Sequence, residues 1–511
     1  MLYSARVMRM QITQKHESKI AGILHCYDRI NIKCTLERFG YADGMSMFFN
    51  TINRRCFDFH KVFTPITENI VANAERIASE NGMEIEYIRQ VSAFRKDDKI
   101  ADIIEKRGDH EGLVKIYSQL ETCRTYKPWT DKVTGKTSFK PDTTKRLHYY
   151  FYFIDQLLGL GFVKVSTVAP YIDMVYFNGH GLLESKLKKE NIAYQRVENA
   201  FTYIENYTKA NKLSDKLRVE DIHQALDIFM DRYSPIPKEW DLKWHYTITQ
   251  VEYAMDIVFK NQDELKPIYD NIVKTAMHTV TPDNIATFLG KKLTVRFEGE
   301  MGSRYNERVL GTRIKHQMGE LSVKVYDKFG KILRIEVTAY NVSKLNAFRD
   351  VFKRNGEIEA KVAPVKKNIY SLFVLIPVFK QIIERYLDFI SSFDDPTDGI
   401  KKLDTVTTDK KTEKKTFKGL NFFNKNDEAI LLAIADGKYT INGLRAKHLR
   451  AEFPDLPPWK ISNILARLKN LGLIKKVGKS YKYYLSALGK SVITAGLFLK
   501  NQVITPVLSM A

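Results

Sequence analysis

The sequence is poor in cysteine and in segments that could enter a membrane. Its 511 residues include only 4 cysteines, with no Cys-x-x-Cys spacing and no paired histidines beside them. This pattern argues against a disulfide scaffold or a zinc finger and is typical of a reducing interior. The chain start lacks an apolar core of signal-peptide length, and Lys500 and Gln502 interrupt the apolar tail. We therefore expect a cytoplasmic protein with no membrane span and no membrane partner.

Acidic residues are also scarce, above all towards the C-terminus. The formal net charge is +21, and no Asp or Glu follows Asp455. Residues 401–511 contain 21 Lys and Arg against 8 Asp and Glu, which is a net +13. A basic surface of this size indicates a nucleic-acid partner. Hydrophobic residues make up 44% of the chain, which is enough for folded cores and excludes wholesale disorder.

The length and the pattern of elements predict an α+β multidomain protein. We expect an N-terminal antiparallel-sheet domain over residues 1–238, built as one domain or as two subdomains. A palm-like split βαβ domain follows over 239–400, a basic linker over 401–425, and a winged helix over 426–511.

In the N-terminal half, three β-runs at 147–155, 160–165 and 172–180 predict an antiparallel sheet, and helices are expected at 181–189 and 194–211. The polar residues of this sheet are His148, Asp155, Asp173, Asn178 and His180. They form either a metal or acid–base cluster or simply the turn and edge residues of a sheet, and the sequence leaves both interpretations open. The aromatic residues here are either a stacking platform for bases or core.

The middle region reads as a strand at 244–259, a helix at 264–276, a β-hairpin at 321–337 and a helix at 343–354. In the hairpin, Leu321, Val323 and Val325 alternate with polar residues before a turn at 327–330. Its polar face would carry four residues suited to binding phosphate or a metal-bound phosphate: Lys324, Tyr326, Arg334 and Glu336. The alternative is an ordinary half-exposed hairpin.

Short motifs follow one another through this region. After the acidic strand and the helix come Phe288-Leu289-Gly290, Gly311-Thr312-Arg313, Tyr326-Asp327-Lys328 and Arg334-Ile335-Glu336. Their order, over roughly residues 246–388, resembles the core of plasmid rolling-circle replication initiators. The resemblance implies a nicking enzyme in which carboxylates hold a divalent metal, Mg²⁺ or Mn²⁺, and a tyrosine attacks DNA.

Carried over by position, the resemblance implies a role for each matching residue. Glu336, with Asp256 or Glu252, would bind the metal. Tyr386 would be the nucleophile, with Tyr326 as the other catalytic candidate. The phosphate-binding residues would be Arg313, Lys324, Lys328 and Arg334. Alternatively, the two tyrosines are core-edge residues and Glu336 pairs with a Lys or Arg.

The C-terminal region predicts helices at 427–435, up to 453, and at 459–470, then strands at 473–477 and 481–485 and a last helix near 487. This order resembles a winged helix-turn-helix domain, and the whole chain resembles uncharacterised bacterial winged-helix proteins. The resemblance implies that the third helix enters the major groove and that the wing contacts phosphate. The candidates on the helix are Lys460, Ser462, Asn463, Arg467 and Lys469, and those on the wing are Lys479 and Lys482. A winged helix used for protein contacts is the alternative.

Together these observations favour a DNA-binding protein of a plasmid or mobile element, in which the winged helix finds a site on double-stranded DNA and the middle domain nicks it. A non-enzymatic DNA-binding regulator is the second hypothesis. An RNA-binding protein, with the aromatic N-terminal sheet stacking on bases, is the third.

Overall fold

A computed structural model describes residues 11–89, 96–292, 299–308, 311–394, 397–413, 415–478 and 480–509. The chain divides into two compact units, residues 1–394 and 395–511. The larger unit is built on a sheet in which 11 strands are described. This mixed architecture confirms the predicted α+β class.

The first half of the larger unit contains β1, a long strand at the centre of the sheet. Its elements in chain order are α1 (Ile12–Lys15), β1 (Ile20–Leu36), α2 (Ala42–Thr51), α3 (Phe59–Glu80), β2 (Ile85–Tyr87), α4 (Lys96–Arg107), β3 (Gly112–Thr130), β4 (Thr137–Asp155), β5 (Gly159–Ser166), β6 (Asp173–Asn178), α5 (Gly179–Lys189), β7 (Tyr194–Val197), β8 (Ala200–Ile204), α6 (Tyr207–Asp215) and α7 (Val219–Tyr233).

The second half begins with the other central strand, β9, and ends with a long helix. Its elements are β9 (Trp244–Phe259), α8 (Gln262–Thr279), α9 (Pro282–Phe288), β10 (Met301–Arg308), β11 (Gly311–Met318), β12 (Leu321–Lys328), β13 (Ile332–Ala339), β14 (Asn346–Phe352), β15 (Ile358–Pro364) and α10 (Ser371–Asp394).

The two halves repeat one strand order and meet at the centre of the sheet. The described order is β10-β11-β12-β13-β9-β1-β6-β5-β4-β3-β2, with β1 and β9 paired antiparallel. In each half a long first strand pairs with the last of four antiparallel strands, and the first half also has the short strand β2, parallel to β3. Because strands from both sides of residue 238 share this sheet, the predicted domain boundary at 238/239 does not separate two domains.

The two faces of the sheet differ in chemistry because side chains alternate along each strand. The inner face carries Ile30 and Ile32 of β1 and Ile335 and Val337 of β13, packed with α3, α7, α8 and α10 in the main hydrophobic core. The outer face is partly covered by smaller clusters under α4 and under α5, β7, β8 and α6. A third small cluster lies around Val258 and Ile332, and the part of the outer face next to it carries the polar residues of β9 and β13.

Several predicted elements are present, and two predicted helices were wrong. The strand at 244–259, the hairpin at 321–337 and the N-terminal sheet strands are present. The predicted helix at 194–211 is instead the hairpin β7–β8 followed by α6, and the predicted helix at 343–354 is a short 3₁₀ turn followed by strand β14. Both segments have apolar residues at spacings that a helix and a strand share, so periodicity did not distinguish them.

The smaller unit has the helices and the two-stranded sheet expected from the sequence. Its elements are α11 (Thr397–Thr407), β16 (Lys410–Lys411), β17 (Thr416–Phe417), α12 (Lys425–Ala435), α13 (Lys438–Asn442), α14 (Ala446–Glu452), α15 (Pro458–Asn470), β18 (Ile474–Lys476), β19 (Tyr483–Leu485), α16 (Ala487–Phe498) and α17 (Thr505–Ser509). The expected linker at 401–425 is part of this unit, because Val406 and Leu420 lie in its hydrophobic core.

One described helical segment, Ala487–Ser509, is long and apolar enough to cross a membrane by length and composition alone. Its mean hydropathy is 1.2 and only 6% of that window is buried. A single segment of this kind is weak evidence, and Lys500 within it forms an ion pair with Glu428 of α12. Cytoplasmic localisation stays a prediction.

Candidate metal centre

A β-bulge in β1 brings two charged residues opposite one residue of β9. Tyr27 pairs with Tyr253 and Ile30 pairs with Val251, so Asp28 and Arg29 together oppose Glu252. An extra residue of this kind re-aims side chains, and bulges are frequent beside functional sites. Here both Tyr27 and Ile30 remain in the inner core, while Asp28 and Arg29 reach Glu252 on the outer face.

Three carboxylates meet at this point of the outer face. One ligand oxygen from each of Asp28, Glu252 and Glu336 lies within 4.8 Å of the others, and all three residues are buried. They come from β1, β9 and β13, which are adjacent strands. Hard divalent cations such as Mg²⁺ and Mn²⁺ prefer carboxylate oxygens. The triad could therefore hold a divalent metal ion.

Cationic and phenolic groups surround the triad. The Lys324 Nζ lies 2.5 Å from Glu336 Oε1 and 3.4 Å from Glu252 Oε1. The Tyr326 hydroxyl donates to Glu336 Oε2 at 2.8 Å, and the Arg29 Nε lies 3.7 Å from Glu252 Oε2. These groups offset part of the repulsion among three buried carboxylates.

The pKa values at the triad reflect this crowding. Burial, and then the neighbouring Glu336, raises the pKa of Glu252 above its usual value. Burial opposes the charged form of Lys324, but Glu336 and Glu252 raise its pKa overall. The triad thus brings three carboxylates together at one point, with Lys324 and Arg29 as neighbouring cations.

A buried arginine supports the triad from the side. Arg334 precedes Glu336 on the same face of β13, and its Nε and Nη2 donate to the two Asp256 oxygens, each at 2.6 Å. Its Nη1 lies 3.4 Å from Asp28 Oδ2, and its Nη2 also donates to the Asn199 carbonyl at 2.7 Å. Burial would raise the pKa of Asp256, but Arg334 lowers it to about 2.

Side chains from the start of α5 and from the β7–β8 turn hold Asp28. Asn178 Nδ2 donates to Asp28 Oδ1 at 2.7 Å, and Asn199 Nδ2 lies 2.8 and 2.9 Å from the two Asp28 oxygens. His180 Nδ1 lies 3.4 Å from Asp28 Oδ1. Burial alone would raise the pKa of Asp28, but His180, Arg334 and Asn199 hold it well below its usual range.

The start of α5 can approach β1 this closely only because residue 179 is glycine. A Cβ at Gly179 would lie 2.2 Å from the Tyr27 carbonyl oxygen, so a larger residue would push α5 away from β1. The close approach places Asn178 and His180, on either side of Gly179, beside Asp28. A local sequence feature, Asn-Gly-His, therefore determines part of the site.

Of the three predicted metal ligands, the structure brings two together. Glu252 and Glu336 belong to the triad, whereas Asp256 is occupied by Arg334 and lies outside it. The third carboxylate of the triad is Asp28, which is not among the metal ligands predicted from the sequence. Its only signal is an aspartate within a strand of apolar residues, since a buried charge needs a partner. The bulge that aims it is invisible in the sequence.

The two candidate tyrosines lie on opposite faces of the sheet. Tyr326 shares the outer face with Glu336, whereas Tyr386 is fully buried in the inner core and its hydroxyl lies 3.1 Å from His316 Nε2. Burial raises the pKa of Tyr386 well above its usual value. In this arrangement Tyr386 does not meet the carboxylates, so the implied role for it is not supported by its position.

The predicted phosphate-binding residues also separate into two groups. Lys324 and Arg313 lie on the polar face of β12 and β11, because Lys315 pairs directly with Lys324 and residue 313 shares its face. Arg334 is instead fully buried against Asp256. Lys328 bonds to Asn199 and lies 3.3 Å from Glu198 in the β7–β8 turn.

The candidate DNA contacts of the smaller unit differ in accessibility. Lys460, Ser462 and Lys469 are exposed on α15, and Lys482 is half-buried on the wing. Asn463 accepts from Lys415 Nζ at 2.7 Å. Lys479 lies outside the described residues.

Arg467 does not point into solvent as an exposed base contact would. Its Nη1 and Nη2 bind the two Asp427 oxygens at 2.7 and 2.8 Å, and its Nε donates to the Lys418 carbonyl. The residue joins α15 to α12 and the preceding segment. The prediction that Arg467 is an exposed DNA contact was wrong, because its guanidinium is bonded to the buried Asp427 of α12.

The five polar residues of the N-terminal sheet do not converge. Asn178 and His180 join Asp28, as described above. The His148 Nδ1 lies 3.1 Å from the Arg146 carbonyl oxygen. Asp155 accepts hydrogen bonds from two backbone amides of the turn that follows it. Asp173 lies on the inner face of the sheet. The interpretation as a turn residue holds for Asp155. His148 is instead buried within β4, between β3 and β5, while Asn178 and His180 belong to the site.

Comparisons with protein-family models, with curated proteins and with solved structures found no match to this chain. The resemblance to rolling-circle initiators and to winged-helix domains therefore stays a prediction.

Proposed function

We propose that the protein is a divalent-metal-dependent endonuclease that nicks DNA, with Asp28, Glu252 and Glu336 as the metal ligands. The observation that carries this proposal is the meeting of three buried carboxylates within 4.8 Å, with Lys324 and Tyr326 bonded to one of them. Mg²⁺ or Mn²⁺ bound there would polarise a phosphodiester. The neighbouring cations Lys324, Arg313 and Lys315 would attract the phosphate backbone.

Tyr326 is the nucleophile that this geometry favours. Its hydroxyl already donates to Glu336 Oε2, so the carboxylate can accept the phenolic proton. In the transfer, the Tyr326 oxygen bonds to phosphorus, the ester bond to the departing strand breaks, and the released oxygen takes a proton from solvent. The product is a phosphotyrosyl link between the protein and one DNA end.

The smaller unit supplies the second part of the proposal, which is binding of double-stranded DNA. Its net charge of +13 over residues 401–511 and its exposed Lys460 and Lys469 on α15 support this role. If it binds duplex DNA, the affinity will fall steeply with salt, and Lys460→Ala will reduce the slope by about one unit.

The decisive experiment incubates the protein with supercoiled plasmid and Mg²⁺ or Mn²⁺ and measures nicked circles and a covalent protein–DNA species. Glu336→Gln should abolish both products, and EDTA should have the same effect on the parent protein. Tyr326→Phe should abolish the covalent species, whereas Tyr386→Phe, on the opposite face, should leave both products unchanged.

Other outcomes would select the other hypotheses. Nicking that survives in Glu336→Gln would remove the triad from the mechanism. Nicking without a covalent species would leave the metal proposal standing but assign the attack to water. Specific duplex binding with no cleavage would favour the non-enzymatic regulator, and preferential binding of RNA would favour the RNA-binding protein.

A further inference from the structure

The hairpin β14–β15 exposes an unusual amount of apolar surface. Phe348 and Phe352 of β14 are 71% and 65% exposed, and Ile358 and Val362 of β15 are 60% and 68% exposed. Phe348 pairs with Val362 and Phe352 pairs with Ile358, so all four side chains lie on one face of the hairpin. Exposed apolar groups of this kind mark interaction surfaces.

Among the described residues, no strand pairs with the outer edge of β15. The two strands form a sheet of their own, and residues 358–362 are all exposed. The Lys353 amide donates to the Glu357 carbonyl at one end of the ladder, and the Val365 amide donates to the Leu345 carbonyl at the other. Hydrogen-bonded pairs alternate along an antiparallel ladder. Residues 359, 361 and 363 therefore face β14, while the amides and carbonyls of Ile358, Ala360 and Val362 face outwards.

The outward edge is complementary to itself. In an antiparallel pairing of two copies of β15 centred on Ala360, Ile358 would lie opposite Val362 of the second copy. Glu359 would lie opposite Lys361, in the pairs whose side chains approach most closely. Pro364, which has no amide hydrogen, falls in the outward-facing phase and needs no partner there.

We infer that β15 is a dimerisation strand that pairs antiparallel with β15 of a second copy of this chain. The outward amides and carbonyls of Ile358, Ala360 and Val362 would then be satisfied across the twofold axis, and β14–β15–β15–β14 would form one continuous four-stranded sheet. In the single chain Glu359 pairs with its own Lys361 at 2.9 Å and with Lys353 at 3.5 Å. The dimer exchanges the first of these contacts for one with the same residue type of the second copy.

A second copy fits this edge because of its sequence pattern. Within residues 358–362, the centred register gives each apolar residue an apolar partner and each charged residue a partner of opposite sign. A shift by one residue would place Lys361 opposite Ala360 and Val362 opposite Glu359, which removes both matches. This inference does not depend on the metal centre or on DNA cleavage.

The test measures the mass of the full chain in solution by sedimentation or light scattering over a range of concentrations. The parent protein should form a dimer. Ala360→Pro should make it monomeric, because the outward amide is lost while the bonds to β14 do not use it. Ala360→Ser, which keeps the amide, is the matched control and should remain dimeric.

Charge reversal tests the register itself. Glu359→Lys and Lys361→Glu should each weaken the dimer at least tenfold, because like charges then face each other across the axis. The double variant Glu359→Lys/Lys361→Glu restores opposite charges and should recover the parent dissociation constant. A monomeric parent protein would overturn the inference, as would a dimer that Ala360→Pro leaves intact or a double variant that is no tighter than the single ones.

Discussion

The two halves of the central sheet share one strand order but carry different chemistry on the outer face. In the first half, Tyr117, Tyr150 and Tyr152 are buried under α4. The carboxylate there, Glu121, is bonded to Tyr150 and Lys164, and it belongs to no cluster of three possible metal ligands among the described residues. In the second half, Glu252 and Glu336 meet on adjacent strands and attract Lys324.

The difference shows that topology alone does not make a site. The carboxylates of the second half become a triad only because β1, the first strand of the other half, pairs with β9 and contributes Asp28 through its bulge. The centre of the sheet is therefore where the two halves meet and where polar groups can be supplied from both sides. Four predictions follow this comparison from the largest expected effect to the smallest.

Removing the buried arginine should have the largest effect on stability. Arg334→Met leaves Asp256 buried without its bidentate partner, so we expect a loss of about 3–5 kcal/mol in the free energy of unfolding. Urea unfolding followed by circular dichroism measures it. Lys260→Met, at an exposed position just after β9, is the control and should change the value by less than about 0.5 kcal/mol. A loss of less than about 1 kcal/mol in Arg334→Met would show that the network is not rigidly held.

The second largest effect is stabilisation by a bound metal ion, which we expect to depend on the triad and not on Glu121. Mn²⁺ at about 100 times its dissociation constant should stabilise the parent protein by about 2.7 kcal/mol, seen as a rise in Tm. Glu252→Gln should lose this rise, because one of the three ligands is gone. Glu121→Gln, in the corresponding region of the first half, should keep it. Equal rises in both variants would place the metal elsewhere.

A third prediction concerns a buried carboxyl on the inner face of the first half. Burial raises the pKa of Asp173 to about 7, and its Oδ2 has no partner in the described part of the chain. At pH values between the ordinary pKa of an aspartate and about 7, the Asp173 carboxyl keeps its proton in the native state but has released it in the unfolded state. The free energy of unfolding should therefore fall by up to about 1.4 kcal/mol per pH unit as the pH rises towards 7.

Asp173→Asn should remove this dependence, because an amide does not titrate. Urea unfolding at pH 5, 6, 7 and 8 measures it, and the parent should lose stability relative to the variant over this range. Asp270→Asn, at an exposed position on α8, is the control and should follow the parent curve. Parallel curves for the parent and Asp173→Asn would contradict the raised pKa.

The smallest expected effect is the loss of stability when Glu121 is replaced by glutamine. Burial raises its pKa, but the bonds from Lys164 and Tyr150 lower it overall. Since the carboxylate is partly exposed, solvent screens the pair, and Glu121→Gln should cost about 1 kcal/mol or less. Denaturant unfolding measures this loss of stability. A loss as large as that of Arg334→Met would mean that the ion pairs on the outer face of the two halves are equally important for stability.

Much of the local structure could be predicted because it depends on short-range patterns. Alternation identified β9 and the hairpin β12–β13, and the turn at Phe329-Gly330, both with positive φ, suits the Asp-Lys-Phe-Gly sequence. The helices and wing of the smaller unit followed from spacing and from stop signals at Gly437 and Gly472. The same periodicity failed at residues 343–354, where the apolar residues of β14 are compatible with either a helix or a strand.

The candidate site was predictable only in part. Glu252, Glu336, Lys324 and Tyr326 are on strands that alternation predicts, so their shared face followed from the sequence. Asp28 did not, because its position depends on a bulge and on the pairing of β1 with β9, two strands that lie far apart in the sequence. Tyr386 was assigned to the site from its place after the hairpin, and the packing of α10 on the inner face removed it.

The sequence by itself determined the α+β class, the central hairpin, the basic character of the C-terminal region and the residue types from which a metal centre could be built. Those features depend on composition and on contacts between near neighbours. Only the tertiary structure decided that residues on both sides of 238 form one sheet and that Asp28 rather than Asp256 completes the triad. It also decided that Arg334 and Arg467 are structural. These outcomes depend on which distant strands and helices pack together, and a buried charge is assigned its partner only when that packing is known.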